Sequence, residues 1–353
     1  MSGLFAPLHA QPAGAVGEDF IYIVEAGDTL LDLSSRYANS PSAWRELQQI
    51  NQVTDERTLP IGKELKIPFS IIPVVATEAI LSSSKGEVWV NDEPAQTAQA
   101  LKAGDTLRTG NNGFATITLE DKSTLTLPTN SMVRIQQLNA FERARLSDAI
   151  IDLQQGSVEG RIAPDNTGVG RFEINTPLSI TGVRGTDLRV HAQGDQANTE
   201  LLTGKAHLNS AQANHQSLQS QQGVVVKSDG SYSISTLLEA PALSEPVRGS
   251  KGWETQFSPI PNADHYVVQI ALEADGTSVV KKYTVPTTTT DVVVASLSAT
   301  GPEPHYAFIR AVDAQGLMGL NASVEFPGQQ MLTVSDGSPL LTTYSGPVLL
   351  ASY

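Results

Sequence analysis

The chain has no cysteine among its 353 residues, which removes disulfide frameworks, thiolate metal sites and cysteine nucleophiles together. That absence suits an oxidising compartment such as a Gram-negative periplasm without deciding it, because cytosolic proteins can lack cysteine too. Basic residues are few, 23 Lys and Arg against 37 Asp and Glu, for a formal charge of −14. No Lys/Arg-rich run interrupts the surplus, so the chain repels phosphate backbones and anionic headgroups, and nucleic acid is a poor partner. Long apolar runs are missing as well. The longest, Ile71-Ile72-Pro73-Val74-Val75-Ala76, is far short of the ~20 residues of a membrane-spanning helix, so no transmembrane segment is expected. With 40% hydrophobic and only 17% charged residues, most of the chain should fold, and its length suits three cores of ordinary size.

Residues 1–19 carry Pro, Gly and Ala without periodicity and read as a flexible N-terminus. Leu8-His9-Ala10 sits as in a signal-peptide cleavage region, but a charged leader and a full apolar run are missing. A trimmed secretory signal and an ordinary flexible terminus fit equally. From Phe20 the pattern sharpens. Ile21-Tyr22-Ile23-Val24 reads as a strand ended by Gly27; Asp28 or Thr29 can cap a helix with Leu30, Leu33 and Tyr37 on one face. Ser42 can cap a second helix carrying Trp44, Leu47 and Ile50, closed by Asn51. Leu65 and Ile67 alternate in a last strand able to pair with the first, which makes a βααβ unit. The blocks YIVEAGDTLLDLSSRY, WRELQQIN and LPIGKELKIP resemble the three successive blocks of a LysM domain, over residues 20–69. The departure is Ile61, where the family usually has proline or a small residue before Gly62. It should alter the turn and leave the fold.

Residues 70–79 form a proline-containing linker, after which helical periodicity vanishes. Phe114–Leu119 and Thr124–Leu127 alternate apolar residues with threonines around a turn, a hairpin expected to bury one face and expose the other. A related hairpin, also preceded by glycine, spans Thr186–Val190 and Thr199–Leu202, the pattern of an internal duplication. The ordered stretches GEVWVN, LKAGDTLRTGNNGFATITLEDKSTLTLPTNSMVRI, IIDLQQGSVEGRI and FEINTPLSITGVRGTDLRV resemble a FecR-type domain, over residues 80–235. The resemblance implies an all-β fold, either a twisted sandwich or a solenoid-like stack. A second proline-rich linker, 236–248, leads to residues 249–328. There FSPIPNADHYVVQIA, LSATGPEPHYAFIRAVDAQGLMG and SVEF resemble a fibronectin type III-like β-sandwich, with Trp253 as core tryptophan and Tyr306 in the place of its corner tyrosine. Residues 329–353 read as a C-terminal tail. The fold class expected is mainly β, with one small α+β module.

The LysM resemblance implies a shallow glycan-binding groove between the strand-to-helix turn, Gly27, Asp28, Thr29, Leu30 and Leu31, and the loop carrying Gln52, Val53, Thr54 and Leu59. An N-acetylated sugar offers amide and hydroxyl groups to backbone donors and a methyl group to an apolar contact. The structural alternative gives Asp28 or Thr29 a capping role and places Leu30 and Val53 in a small core. A single shallow module binds weakly, and repeated sites on a polymer compensate.

Catalytic constellations are not in evidence. The histidines His9, His191, His207, His215, His265 and His305 show no metal-ligand spacing, although hairpin pairing can bring His191 near His207. Asp152 with Glu159, or Glu120 with Asp121, offers carboxylate pairs but no marked cleft. TGNNG and GVRGT lack the Lys-Ser/Thr of a phosphate cradle, and Arg184 reads as structural or partner-binding. No cofactor and no metal is expected. The function expected is a non-catalytic periplasmic or cell-envelope adaptor. It would bind peptidoglycan or another N-acetylglucosamine-containing glycan and present its β domains to an envelope protein, such as a membrane-bound signalling protein. The alternatives are an accessory of a cell-wall hydrolase and a structural spacer.

Overall fold

The computed structural model describes residues 14–16, 19–38, 40–55, 59–142, 146–162, 170–214, 216–249, 252–288 and 290–329; the side chains of 14–16 and of Arg184 lie outside this description. So do the signal-like residues 1–13, His9, His215 and the end of the C-terminal tail.

At the N-terminal end, strand Asp19–Ile23 pairs antiparallel with Glu64–Pro68, and Gly14–Val16, inside the stretch expected to be flexible, pairs along its other edge. Helices Leu30–Tyr37 and Trp44–Ile50 lie between them in sequence. The first starts where Thr29 accepts the Asp32 N–H at 3.1 Å, a cap worth about 1 kcal/mol. Leu30, Leu33 and Tyr37, at helical spacing, are buried against Phe20, Tyr22 and Leu65. The second helix differs from expectation at its start: Ser42 belongs to a 3-10 turn, Pro41–Ala43, and no side chain caps the helix. Asn51 closes it, donating to Leu47 O and Lys66 O and accepting the Lys66 N–H, so one amide ties the helix end to the last strand. The βααβ order read from the sequence is the observed one.

Strands from Val74–Ala76 to Tyr232–Thr236 form two sheets that share one long strand, Leu146–Arg161. One sheet runs through Ala79–Lys85, Phe114–Thr118, Thr124–Leu127, the C-terminal half of the shared strand, Asp187–Gln193, Gln196–Leu201, Gln222–Lys227 and Tyr232–Thr236, all antiparallel. The other runs through Val88–Val90, Thr106–Thr109, Met132–Phe141, the N-terminal half of the shared strand, Arg171–Asn175, Ser179–Arg184, Lys205–Ser210 and Gln216–Gln219. After the shared strand the chain lays down strands two at a time, alternating between the sheets. The result is a twisted sandwich built by a rolling progression, so it joins the two alternatives left open by the sequence. One apolar cluster fills it, with Leu81, Ile117, Leu188 and Val224 from the first sheet and Val88, Val133, Phe172 and Leu208 from the second.

The C-terminal unit is a smaller sandwich. Val247–Gly249, Gly252–Phe257 and Val293–Leu297 face a four-stranded sheet ordered Val279–Pro286, Ala263–Ala271, His305–Asp313, Ala322–Phe326. Its core holds Phe257, Tyr266, Ile270, Ile309 and Phe326, with Trp253 packed at the margin. Tyr306 does not take the corner role. It is half-buried opposite Glu325, whereas fully buried Tyr266 accepts the Ile260 N–H at 2.8 Å.

The segments read as linkers are built into the structure. Phe69 stacks on Phe141 at 4.0 Å between centroids. Ile72 joins the LysM-like core along with Phe141 and Leu146, and Val74–Ala76 pairs with Asn139–Phe141. At the second junction Leu237 packs with Val225 and Leu317, and Leu238 O accepts the Leu320 N–H at 2.8 Å. Gly223 lets the two units approach closely here: a Cβ would lie 2.8 Å from a Leu237 methyl carbon and 2.9 Å from a Leu317 methyl carbon, and both side chains would have to shift.

This second junction overturns the half-solvated hairpin. Register aligns Thr126, Glu159, Arg189, Glu200 and Gly223 in a row across neighbouring strands, on the face opposite the sandwich core. The C-terminal unit covers that row, and both Thr116 and Thr126 are buried, 3.2 Å apart through their hydroxyls. Arg310 donates to Glu159 at 2.5 Å and to Gln269 at 3.1 Å. Arg189 donates to Gly319 O at 3.1 Å and to Asn321 at 3.0 Å. Glu200 accepts from the Met318 N–H at 3.2 Å and contacts His191 at 3.0 Å. Burial alone would raise the Glu159 pKa, but Arg310, with Lys282 and Arg189 behind it, holds it at about 2. Burial, then the neighbouring Arg310, lowers Arg189 to about 10, still charged at neutral pH.

Candidate functional site

Antiparallel pairing of Asp19–Ile23 with Glu64–Pro68 sets the end of one strand beside the start of the other. The loops leaving them, 24–29 and 59–63, therefore lie at one end of the module. Each contains a glycine turn. Asp28 N–H closes onto Glu25 O at 3.3 Å with Gly27 at φ +92°, and Lys63 N–H closes onto Pro60 O at 3.1 Å with Gly62 at φ +82°. Both have the left-handed third residue of a type II turn, where glycine carries no Cβ penalty. Val24 clasps the two, donating to Lys63 O at 2.9 Å and accepting from Gly62 at 2.8 Å.

The expected groove residues divide into two groups. Gly27, Leu31, Gln52 and Thr54 are exposed and Thr29 is half-buried. Nothing lies within 4 Å of a Cβ built on Gly27, so its backbone is open to close approach. Leu30, Val53 and Leu59 point into the core; only their backbone groups can face a ligand. The Asp28 carboxylate is occupied, accepting the Tyr22 hydroxyl at 2.8 Å and the Glu25 N–H at 2.7 Å, with Arg36 at 3.4 Å. Burial first, then this hydrogen bond, raises the Tyr22 pKa. Asp28 therefore fixes the turn, and the capping role expected of Asp28 or Thr29 falls to Thr29. Residues 56–58 of the second loop lie outside the described residues. A concavity of about 490 Å³ on this module is lined by Ile21, Ile50, Asn51, Gln52, Lys63, Glu64 and Lys66; of the expected groove it includes Gln52 alone.

The other sequence candidates separate in space. His191 lies in the sheet that faces the C-terminal unit and contacts Glu200, whereas His207 pairs across Gly182 and Ser217 in the opposite sheet. Asp152 accepts from Asn175 at 3.1 Å, on a different sheet from the Glu159 ion pair. Asp121 accepts the Ser123 N–H at 2.9 Å within its turn, and the Ser147 hydroxyl. Among the described residues no three His, Asp or Glu side chains converge as a metal site. A cavity of about 160 Å³ at the second junction is lined by Glu159, Arg161, Asp187, Arg189 and Asp275 among others, yet its charges pair internally, Arg161 with Asp187 at 4.0 Å and with Asp275 at 3.9 Å.

One feature is not legible in the sequence, the buried junction network, and its signal is Arg310, a charged residue amid the apolar strand HYAFIRAVD.

The LysM domain family matches residues 22–68, and the FecR protein family matches residues 105–207. Among curated proteins none matches the chain. Of solved structures, one described as a candidate anti-sigma factor from Parabacteroides distasonis ATCC 8503 is 14% identical, with a TM-score of 0.31, over 37% of this chain and 59% of that one. This chain thus spans under two thirds of that protein. An Fn3-like protein from Clostridium thermocellum is 21% identical, with a TM-score of 0.20, over 28% of this chain and 100% of that one. At such scores neither likeness carries a functional assignment. The chain carries a LysM domain and a FecR segment, followed by a β-sandwich of a three-stranded and a four-stranded sheet.

Proposed function

We propose that this is a non-catalytic envelope adaptor, in which the LysM domain binds peptidoglycan and the fused β units face a protein partner in envelope signalling. The observation that carries the reading is the LysM end itself. Two clasped glycine turns leave the backbone around Gly27 open, with Leu31, Gln52 and Thr54 exposed beside a closed core. Such a surface suits backbone hydrogen bonds to acetamido groups. LysM and FecR domains are typical of extracytoplasmic proteins, which supports a periplasmic location. No helix among the described residues is long and apolar enough to cross a membrane.

Co-sedimentation with purified sacculi tests this reading. The full chain should pellet with them, and Leu31→Asp should reduce the bound fraction while leaving the thermal transition in place. A chain that stays in the supernatant contradicts it.

The second junction favours a further reading, a spacer. Arg189 and Arg310 lock the FecR and C-terminal units into one body, which would set a distance as readily as present a surface. Cross-linking in intact envelopes separates the two: an adaptor yields a discrete protein adduct through the β units, a spacer yields none.

A further inference from the structure

Trp89 and Arg108 stand opposite each other where Val88–Val90 pairs with Thr106–Thr109, and the row continues through Met132 to Gln155 on the next two strands. Side chains alternate along a strand. Val88, Leu107 and Val133 point into the sandwich core, so this row lies on the outer face. There the Arg108 guanidinium stacks on the Trp89 ring, 3.8 Å from its centre, and both residues are half-buried. The stack fixes the plane of the guanidinium. Among the described residues no hydrogen bond or ion pair engages its N–H donors.

Glu87 stands on the same face, two positions before Trp89. Its carbonyl oxygen accepts the Gly110 N–H at 2.8 Å, which makes Glu87 a diagonal neighbour of Arg108 in the ladder, about 7–8 Å away along the backbone. The Glu87 carboxylate lies over Gly110, where a Cβ would fall 2.3 Å from its oxygen. It too has no side-chain partner among the described residues. A concavity of about 330 Å³ is lined by Glu87, Trp89, Arg108, Asn111, Asn130 and Gln155, among others. Backbone bonds brace it: Gly110 O accepts the N–H groups of Gly113 and Asn130, each at 3.1 Å.

An isolated exposed charge is commonly just hydrated, so the grouping decides the matter. A cation and an anion that do not pair with each other share one preformed hollow with three amides. That arrangement fits a ligand carrying both charges. A stacked guanidinium has little freedom left to lose when it takes a carboxylate through two N–H groups, and a carboxylate beside it takes an ammonium. The chain's −14 charge repels a purely anionic ligand, a penalty that a zwitterion escapes.

We propose that this hollow binds the zwitterionic group of an α-amino acid, with its carboxylate on Arg108 and its ammonium on Glu87. The site lies on the FecR-containing sandwich, and the inference is independent of the glycan reading.

Titration of the full chain with DL-leucine, followed by NMR at the Trp89 indole N–H and the Gly110 and Asn111 amides, tests it. Leucine should shift these signals saturably. N-acetylleucine, which lacks the ammonium, and leucine amide, which lacks the carboxylate, should each bind about tenfold more weakly. Glu87→Gln should no longer distinguish leucine from N-acetylleucine, and Arg108→Gln should no longer distinguish leucine from leucine amide. An unchanged Tm shows that each variant is folded, and a purely structural role would not produce this matched loss. Signals that do not move with leucine overturn the inference, as does a wild type that binds either analogue as tightly as leucine.

Discussion

The chain makes two junctions between its units, and they are built from opposite materials. Between the LysM domain and the FecR segment, Phe69 stacks on Phe141 and Ile72 and Leu146 fill the space around them. Between the FecR segment and the C-terminal sandwich, Glu159, Arg189, Glu200 and Arg310 meet with side chains between 0% and 16% exposed. An apolar junction is non-directional and tolerates small shifts. A buried ionic one has little net stability to offer, since desolvation offsets attraction, but a wrong register leaves a charge unpaired and is heavily penalised. The first junction attaches the LysM domain, and the second fixes how the two β units face each other.

Arg310→Met probes that contrast most strongly. Removing one partner strands Glu159 under the C-terminal unit and should cost about 3–5 kcal/mol, read from chemical denaturation of the full chain. The double variant Glu159→Leu/Arg310→Met should recover much of the loss; no recovery would mean that packing, and not charge, holds this junction. Phe141→Ala should cost about 3 kcal/mol, confined to the LysM side and independent of pH.

Acid should act on one junction alone. Glu159 has a folded pKa of about 2 against an ordinary 4.5, so its contribution is fully present above pH 4.5 and is lost as pH falls through about 2. That contribution is on the order of 3 kcal/mol, and hydrogen exchange over this pH range should show the Gln269 and Arg310 strands loosening before Phe69. Simultaneous loosening would contradict the division. The smallest effect expected is from Ile61→Pro, a gain of about 0.4–1 kcal/mol, measurable as a higher LysM unfolding midpoint.

Much of this was legible in the sequence, and the limits have physical causes. The LysM unit could be read because Leu30, Leu33 and Tyr37 keep helical spacing and its contacts are local. The FecR hairpins could be read singly, since alternation marks a strand, but which sheet each joins depends on contacts far apart in the chain. The solvated face assigned to Thr116 and Thr126 failed for that reason: what covers it comes from residues beyond 260. Likewise the sequence placed Asp28 in the groove, and only the folded turn shows Tyr22, Glu25 and Arg36 already occupying its carboxylate.

The claim on which the account turns is that the Gly27 end of the LysM domain holds a peptidoglycan strand. Chemical-shift mapping of the full chain with a soluble, peptide-free peptidoglycan fragment tests it most directly. The account predicts that shifts concentrate at residues 25–31, 52–54 and 60–62 while the amides of the two β units stay still. Shifts confined to the FecR or C-terminal unit, or none at saturating ligand, would contradict it.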